Sequence, residues 1–221
     1  MLHKLYFLLP FLPVMIYNRV MDTLEELQLH GKTVFTINDA SMLMKKPKKY
    51  VSKILSSNRK VKRIERGLYF ISSSGGDNLY EIASQIVFPS YISLFAAFQY
   101  YSVTDQVIKK YSVISIKRHR EINLGENIIE FRTMGRERFF GFNRVQNTYI
   151  ASIEKAILDS LYLNMPSFSY VKEAFDLSRQ NSLLNLKVLR EYAHRMNSGS
   201  VNRKLSKLLH EDDEIRMSEG N

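Results

Sequence analysis

The 221-residue chain contains no cysteine, which excludes disulfides, thiolate metal sites and a cysteine nucleophile and fits a reducing, cytoplasmic setting. It also lacks the motifs of common enzyme classes. There is no phosphate-cradling glycine loop, no His-Glu-x-x-His and no Gly-x-Ser-x-Gly, and His3, His30, His119, His194 and His210 are scattered without ligand spacing. No catalytic residue, cofactor or metal ligand is therefore expected. The most informative absence is of carboxylates, because none occurs from Met44 to Ile64.

What fills that window is positive charge. Ten of the 22 residues from Lys45 to Arg66 are Lys or Arg against one acid, Glu65, so the window carries net +9 of the chain's +10. The other 199 residues hold 22 basic and 21 acidic side chains, a near-neutral remainder. Charge focused in this way suits a polyphosphate backbone, since each neutralised phosphate releases condensed counterions. A solvated helix face is usually mixed in sign, and this one is not.

The local pattern gives that charge a frame. Leu24 and Leu27 mark a short amphipathic helix from Met21 that stops at Gly31, followed by a brief extended Val34-Phe35. Thr36 and Asp39 offer a capping arrangement for a second helix over about 38–44, with Ala40 and Leu43 facing inward. Pro47 suits the entry of a third helix, in which Val51, Ile54 and Leu55 make one buried stripe. Lys48, Lys49, Ser52, Lys53 and Ser56 are left on the opposite face, the layout of a recognition helix docked by its apolar side. Two strands around Glu65-Arg66-Gly67 then read as a wing, with the Gly supplying the positive φ of the hairpin turn.

The expected fold class is α+β: an N-terminal winged helix-turn-helix over 21–73, then a mixed α/β domain over 77–210 with an antiparallel sheet and C-terminal helices. Ser72 to Gly76 reads as the linker. Helices are predicted over 78–87, 90–101, 151–163, 170–179, 186–196 and 201–210, and strands over 111–117, 128–131 and 139–142. The acidic residues 211–221 are expected to be disordered. Residues 1–20 form an apolar extension or follow from a start codon assigned too far upstream, with Met15 or Met21 as the alternative. Its run Leu5–Tyr17, 13 residues broken by Pro10 and Pro13, is too short to span a bilayer as a helix.

The candidate DNA-binding residues are Lys45, Lys46, Lys48, Lys49, Ser52, Lys53, Asn58, Arg59, Lys60, Lys62, Arg63 and Arg66. Lys and Arg can take guanine O6 and N7, Ser and Asn several base edges, and most of the cations are expected to touch phosphate only. A second basic stretch, Lys109 to Arg144, holds nine Lys or Arg and four Glu and reads by default as strand decoration. Its densest part supplies Lys117, Arg118 and Arg120 as a possible partner or extended DNA surface. Glu154 and Asp159 lie five apart, about 140° around a helix, so they do not converge on one ligand, and structural ion pairing or an interface contact is expected. Glu130 with Arg132 on a strand is the only hint of a divergent nuclease. Tyr80, Tyr91, Tyr100 and Tyr101 fall in segments read as helical and are expected in the core or an interface.

Four stretches together resemble a known family. They are the helix-turn-helix ending in Arg63-Ile64-Glu65-Arg66-Gly67-Leu68-Tyr69, then Tyr91-Ile92-Ser93-Leu94-Phe95-Ala96-Ala97, the Phe139-Phe140-Gly141 turn, and Ile150 to Asp159 (IASIEKAILD). In this order, over roughly Met21 to Leu163, the chain is similar to the AbiEi-type antitoxins of type IV toxin–antitoxin and abortive-infection systems. The family often has proline where Ile153 stands, and commonly Gly-Leu near Ser102-Val103. The resemblance implies a repressor of its own operon, bound to double-stranded operator DNA as a possible homodimer. It also implies a C-terminal domain that counters a nucleotidyltransferase-like toxin. The alternative is an autonomous winged-helix transcription factor whose C-terminal domain binds a ligand or dimerises.

Overall fold

The computed structural model describes residues 12–107 and 109–219, with side chains over 18–107 and 109–210. The architecture is α+β, and the chain divides after Ile86 into two compact units.

The N-terminal unit begins with helix α1, Leu12–Leu29, whose Val20, Leu24 and Leu27 recur on one face and are buried. The helix starts before Met21, with Pro13 in its first turn, where a missing amide costs no hydrogen bond. Residues 5–11 of the apolar run lie outside the described residues. Strand β1 (Val34–Thr36) leads into α2 (Ile37–Met44) through a full capping box. Asp39 N donates to Thr36 Oγ1 at 3.1 Å, and Thr36 N donates to Asp39 Oδ2 at 2.7 Å. Lys45 closes α2 in the left-handed region (φ 50°), and α3 (Lys48–Ser57) starts directly after Pro47.

Strands β2 (Val61–Glu65) and β3 (Leu68–Ile71) turn at Gly67, whose φ of +80° suits a residue without a Cβ, and the antiparallel sheet runs β1-β3-β2. Its face toward α1–α3 carries Phe35, Val61, Tyr69 and Ile71, which share one apolar core with Leu24, Ala40, Met44, Val51 and Leu55. Helix α4 (Leu79–Ile86) belongs to this unit and packs on β1. Gln85 Oε1 accepts from Thr33 N at 2.9 Å and Val34 N at 3.1 Å, and its Nε2 donates to Gly31 O at 3.2 Å. The division of the chain thus falls after α4 and not within Ser72–Gly76. That serine- and glycine-rich stretch is held by Asp77, which accepts from Ser72 Oγ, Ser73 N and Lys62 Nζ.

The second unit is built on a six-stranded sheet of order β6-β7-β5-β4-β9-β8. Its strands are β4 (Ser90–Ile92), β5 (Lys110–Ser115), β6 (Ile122–Leu124), β7 (Asn127–Thr133), β8 (Phe142–Val145) and β9 (Thr148–Ala151). The pairs β4/β5, β6/β7 and β8/β9 are antiparallel, but β5/β7 and β4/β9 are parallel, so the sheet is mixed where an antiparallel one is expected. Composition marks a strand without fixing its direction. The helix expected over 90–101 begins only at Leu94, as α5 (Leu94–Tyr100), because Ser90–Ile92 is taken into the sheet centre. The strand expected over 139–142 is instead a turn through Gly141, after a short 3-10 segment at Arg136–Arg138.

Helix α6 (Ile153–Leu163) starts at the Ser152 cap, where Lys155 N donates to Ser152 Oγ at 3.3 Å, and is buried without a break from Ile153 to Leu161. It packs against α5, α7 (Phe168–Gln180), α8 (Leu186–Met196) and α9 (Gly199–Glu219). The backbone of α9 is helical as far as Glu219, over most of the stretch for which composition predicts disorder. Glu211, Glu214, Arg216 and Met217 there have good helix propensity. Among the described residues no helix is long and apolar enough to cross a membrane.

Candidate nucleic-acid interface

Helix α3 is fixed by Val51 and Leu55, which are fully buried, so the opposite side is turned outward. Lys49 and Lys53 are exposed on that side, Lys48 is exposed in the first turn of the helix, and Lys45 and Lys46 are exposed on the turn that precedes it. Among the described residues none of these five lysines stands in an ion pair. The turn has a set geometry: Ser41 Oγ donates to Lys46 O at 2.6 Å and Lys46 N donates to Ser41 O at 3.2 Å. Tyr50, missed by sequence reasoning, is 40% exposed on α3 with Lys46 Nζ 6.0 Å from its ring centre. Its place between Lys49 and the buried Val51 is the signal that could have singled it out.

Not every candidate joins this surface. Ser52 is half-buried and its Oγ lies 3.3 Å from the hydroxyl of the buried Tyr69, so it ties α3 to β3. Asn58 ends α3, and its Oδ1 accepts from Lys60 N at 2.8 Å, which shapes the turn holding the exposed Arg59 and Lys60. On β2, Lys62 lies opposite Phe70 and Arg63 opposite Tyr69, so the two cations occupy opposite faces of the sheet. Arg63 is on the α3 side, with Nε donating to Glu65 O at 3.1 Å, and Arg66 is exposed at the hairpin turn. Lys62 is on the other side, 2.7 Å from Asp77 and over the Phe70 ring. Burial would raise the Asp77 carboxyl, but the bonds from Lys62, Ser72 and Ser73 hold it below the usual carboxylate range.

In the second unit the residues around α6 form a closed polar cluster. Lys155 and Asp159, one helical turn apart, form an ion pair with no solvent exposure. Asp159 Oδ2 also accepts from Ser93 Oγ at 2.8 Å and from Tyr91 OH at 3.1 Å. The Lys155 ammonium lies 5.0 Å from the Phe140 ring centre and 5.7 Å from that of Tyr91, with Met134 Sδ at 3.6 Å. Burial pushes Asp159 up despite its three donors, and pushes Lys155 down despite its counter-ion. Glu154 is separate: its Oε1 accepts from Asn185 N at 2.9 Å, at the cap of α8. Three of the stretches that carry the family resemblance, at 91–97, 139–141 and 150–159, meet in this cluster. No protein-family model matches the chain, and no curated protein matches it.

The remaining candidates lie elsewhere in the second unit. Glu130 is buried, bonded to Arg132 and 3.6 Å from Lys110, which also lies 3.4 Å from Glu121, so the nuclease pair is engaged with its neighbours. Lys117, Arg118 and Arg120 are exposed after β5. Lys117 Nζ donates to Phe88 O at 2.7 Å, and the His119 ring packs 4.7 Å from Phe131. Among the described residues no group of three or more His, Asp or Glu is placed to hold a metal ion.

Proposed function

We propose that the chain is a sequence-specific, double-stranded DNA-binding repressor whose N-terminal unit acts as a winged helix-turn-helix. In this reading α3 lies in the major groove, and Lys45, Lys46, Lys48, Lys49 and Lys53 meet phosphates and base edges. Arg63 and Arg66 on the hairpin flank the groove, with Arg59 and Lys60 beside the backbone. The observation that carries it is α3 with its preceding turn, which presents five exposed lysines that have no counter-ion among the described residues, while Val51 and Leu55 are buried on its inward side. Unpaired cations on a rigid, solvent-facing helix are available to phosphates without first breaking internal pairs.

The proposal extends by resemblance to the antitoxin role: a cytoplasmic regulator, dimeric on a palindromic operator, that represses its own operon and counters a nucleotidyltransferase-like toxin. Gel-shift titration with the DNA upstream of the gene, beside a scrambled duplex and a K48A/K49A/K53A variant, tests the DNA reading. Selective binding that the variant loses is expected, and equal affinity for both duplexes would overturn it. Growth rescue on co-expression with a neighbouring toxin gene tests the antitoxin role. A toxin that stays lethal beside the intact chain would end that part of the proposal.

A further inference from the structure

The second unit carries a row of side chains that neither the DNA reading of α3 nor the buried cluster uses. It crosses one end of four neighbouring strands, β5-β4-β9-β8. Lys117 follows β5, Phe88 precedes β4, Tyr149 lies in β9 and Arg144 in β8. The four are joined contact by contact. Lys117 Nζ donates to the Phe88 carbonyl at 2.7 Å, the Phe88 and Tyr149 rings meet edge to face at 6.0 Å, and the Arg144 guanidinium carbon lies 5.9 Å from the Tyr149 ring centre. Phe88 is 64% exposed, and Lys117 and Arg144 are exposed.

The row is held in place. Arg144 Nε donates to Gln146 O at 2.9 Å and its second nitrogen to Asn147 Oδ1 at 2.8 Å, which fixes the guanidinium beside the ring. Tyr149 and Arg144 are direct cross-strand partners, so they share a face of the sheet. The segments 87–104, 111–120 and 139–152, which supply the row, contain no carboxylate.

We infer that this row, two aromatic rings between two cations at the end of the sheet, binds single-stranded nucleic acid. An exposed ring offers a face to any base, and a guanidinium offers a planar cationic surface, while Lys117 and Arg144 meet the phosphates on either side. A duplex keeps its base faces stacked inside and could use only the two cations, so the aromatic half of the row selects the single strand. An acidic peptide would answer the charge but would not need two rings in line with it. The inference does not depend on α3, which lies in the other unit.

The test is fluorescence anisotropy of labelled dT20 with the full chain carrying K48A/K49A/K53A, so that α3 does not dominate. Saturable binding is expected to survive in this parent. Phe88→Ala should weaken it by about fivefold or more without changing its salt dependence, because stacking releases no counterions. Arg144→Ala should make the plot of log affinity against log salt shallower by about 0.7, one phosphate's share on a single strand. Both variants should melt with the parent. Absence of dT20 binding in the unmodified chain, loss of it in the α3 variant, or F88A and R144A proteins that bind like the parent would each overturn the inference. Loss of duplex binding with dT20 binding retained would separate this surface from that of α3.

Discussion

Replacing Lys155 by Met leaves an unbranched apolar side chain one atom shorter and removes the charge and the donors. The Asp159 carboxylate would then sit in the same closed site with Ser93 and Tyr91 as its remaining donors. Breaking a buried pair from one side costs about 3–5 kcal/mol, a large part of the roughly 5–15 kcal/mol that holds a domain folded. For a unit of this size each kcal/mol corresponds to about 3 °C, so a melting point about 10–15 °C lower is expected by calorimetry. The double variant K155M/D159L removes both charges and should recover most of the loss, which gives a large coupling energy in the cycle.

The pH dependence has a definite sign. Burial already raises Asp159 above its unfolded value of 3.8, and removing the ammonium raises it further. A group raised in the folded state contributes stability that is present below its unfolded pKa and lost as pH rises through the folded one. The K155M deficit should therefore be larger at pH 8 than at pH 5. A K155M protein melting within about 3 °C of wild type at pH 8, less than about 1 kcal/mol, would refute this account of the cluster.

Gly141→Ala should destabilise the second unit by about 1–3 kcal/mol, because φ is +71° and an added Cβ would stand 2.8 Å from Tyr192 and 3.1 Å from Lys155; denaturant titration reads it. Thr36→Ala should cost about 0.5–2 kcal/mol through loss of the α2 cap. Burial alone would raise Asp39, but bonds from Thr36 and Lys32 hold it below 3.8, so its contribution is complete above that value and lost as pH falls through the lower folded pKa. Acid titrations of wild type and Asp39→Asn should therefore converge at the lowest pH. Lys62→Ala should leave operator affinity within about twofold, whereas Lys53→Ala should weaken it and lower the salt slope by about 0.9; equal losses in the two variants would contradict their placement on different faces.

The elements around α3 were legible because each has a local physical cause. Val51, Ile54 and Leu55 repeat with the helical period, Thr36 and Asp39 lie at capping distance, and Gly67 meets the need for positive φ. Which basic residues share a face was not legible at β2. Lys62 and Arg63 are adjacent in sequence and opposite in space, and the partner of Lys62 lies 15 residues away at Asp77. Ser52 reads as an outward polar residue until Tyr69 is brought beside it by the sheet.

In the second unit, Ser90–Ile92 is too short to show a strand period, and its pairing with β5 and β9 comes from segments more than twenty residues away. Lys155 and Asp159 have visible i, i+4 spacing, but charged residues in a helix are ordinarily on its surface. Their burial follows from the convergence of β4, the 139–141 turn and the neighbouring helices on α6. No single segment records that convergence.

If the exposed lysines of α3 and its turn form a polyphosphate-binding surface, affinity for a duplex must depend steeply on salt. The most direct test is the salt dependence of affinity for the duplex upstream of the gene, measured for wild type and K48A/K49A/K53A. About five phosphate contacts predict a slope of log affinity against log salt near −4.5, or about a 500-fold loss from 50 to 200 mM salt, and a slope near −2 for the variant. A flat salt response in the wild type, or the same slope in both proteins, would contradict the account.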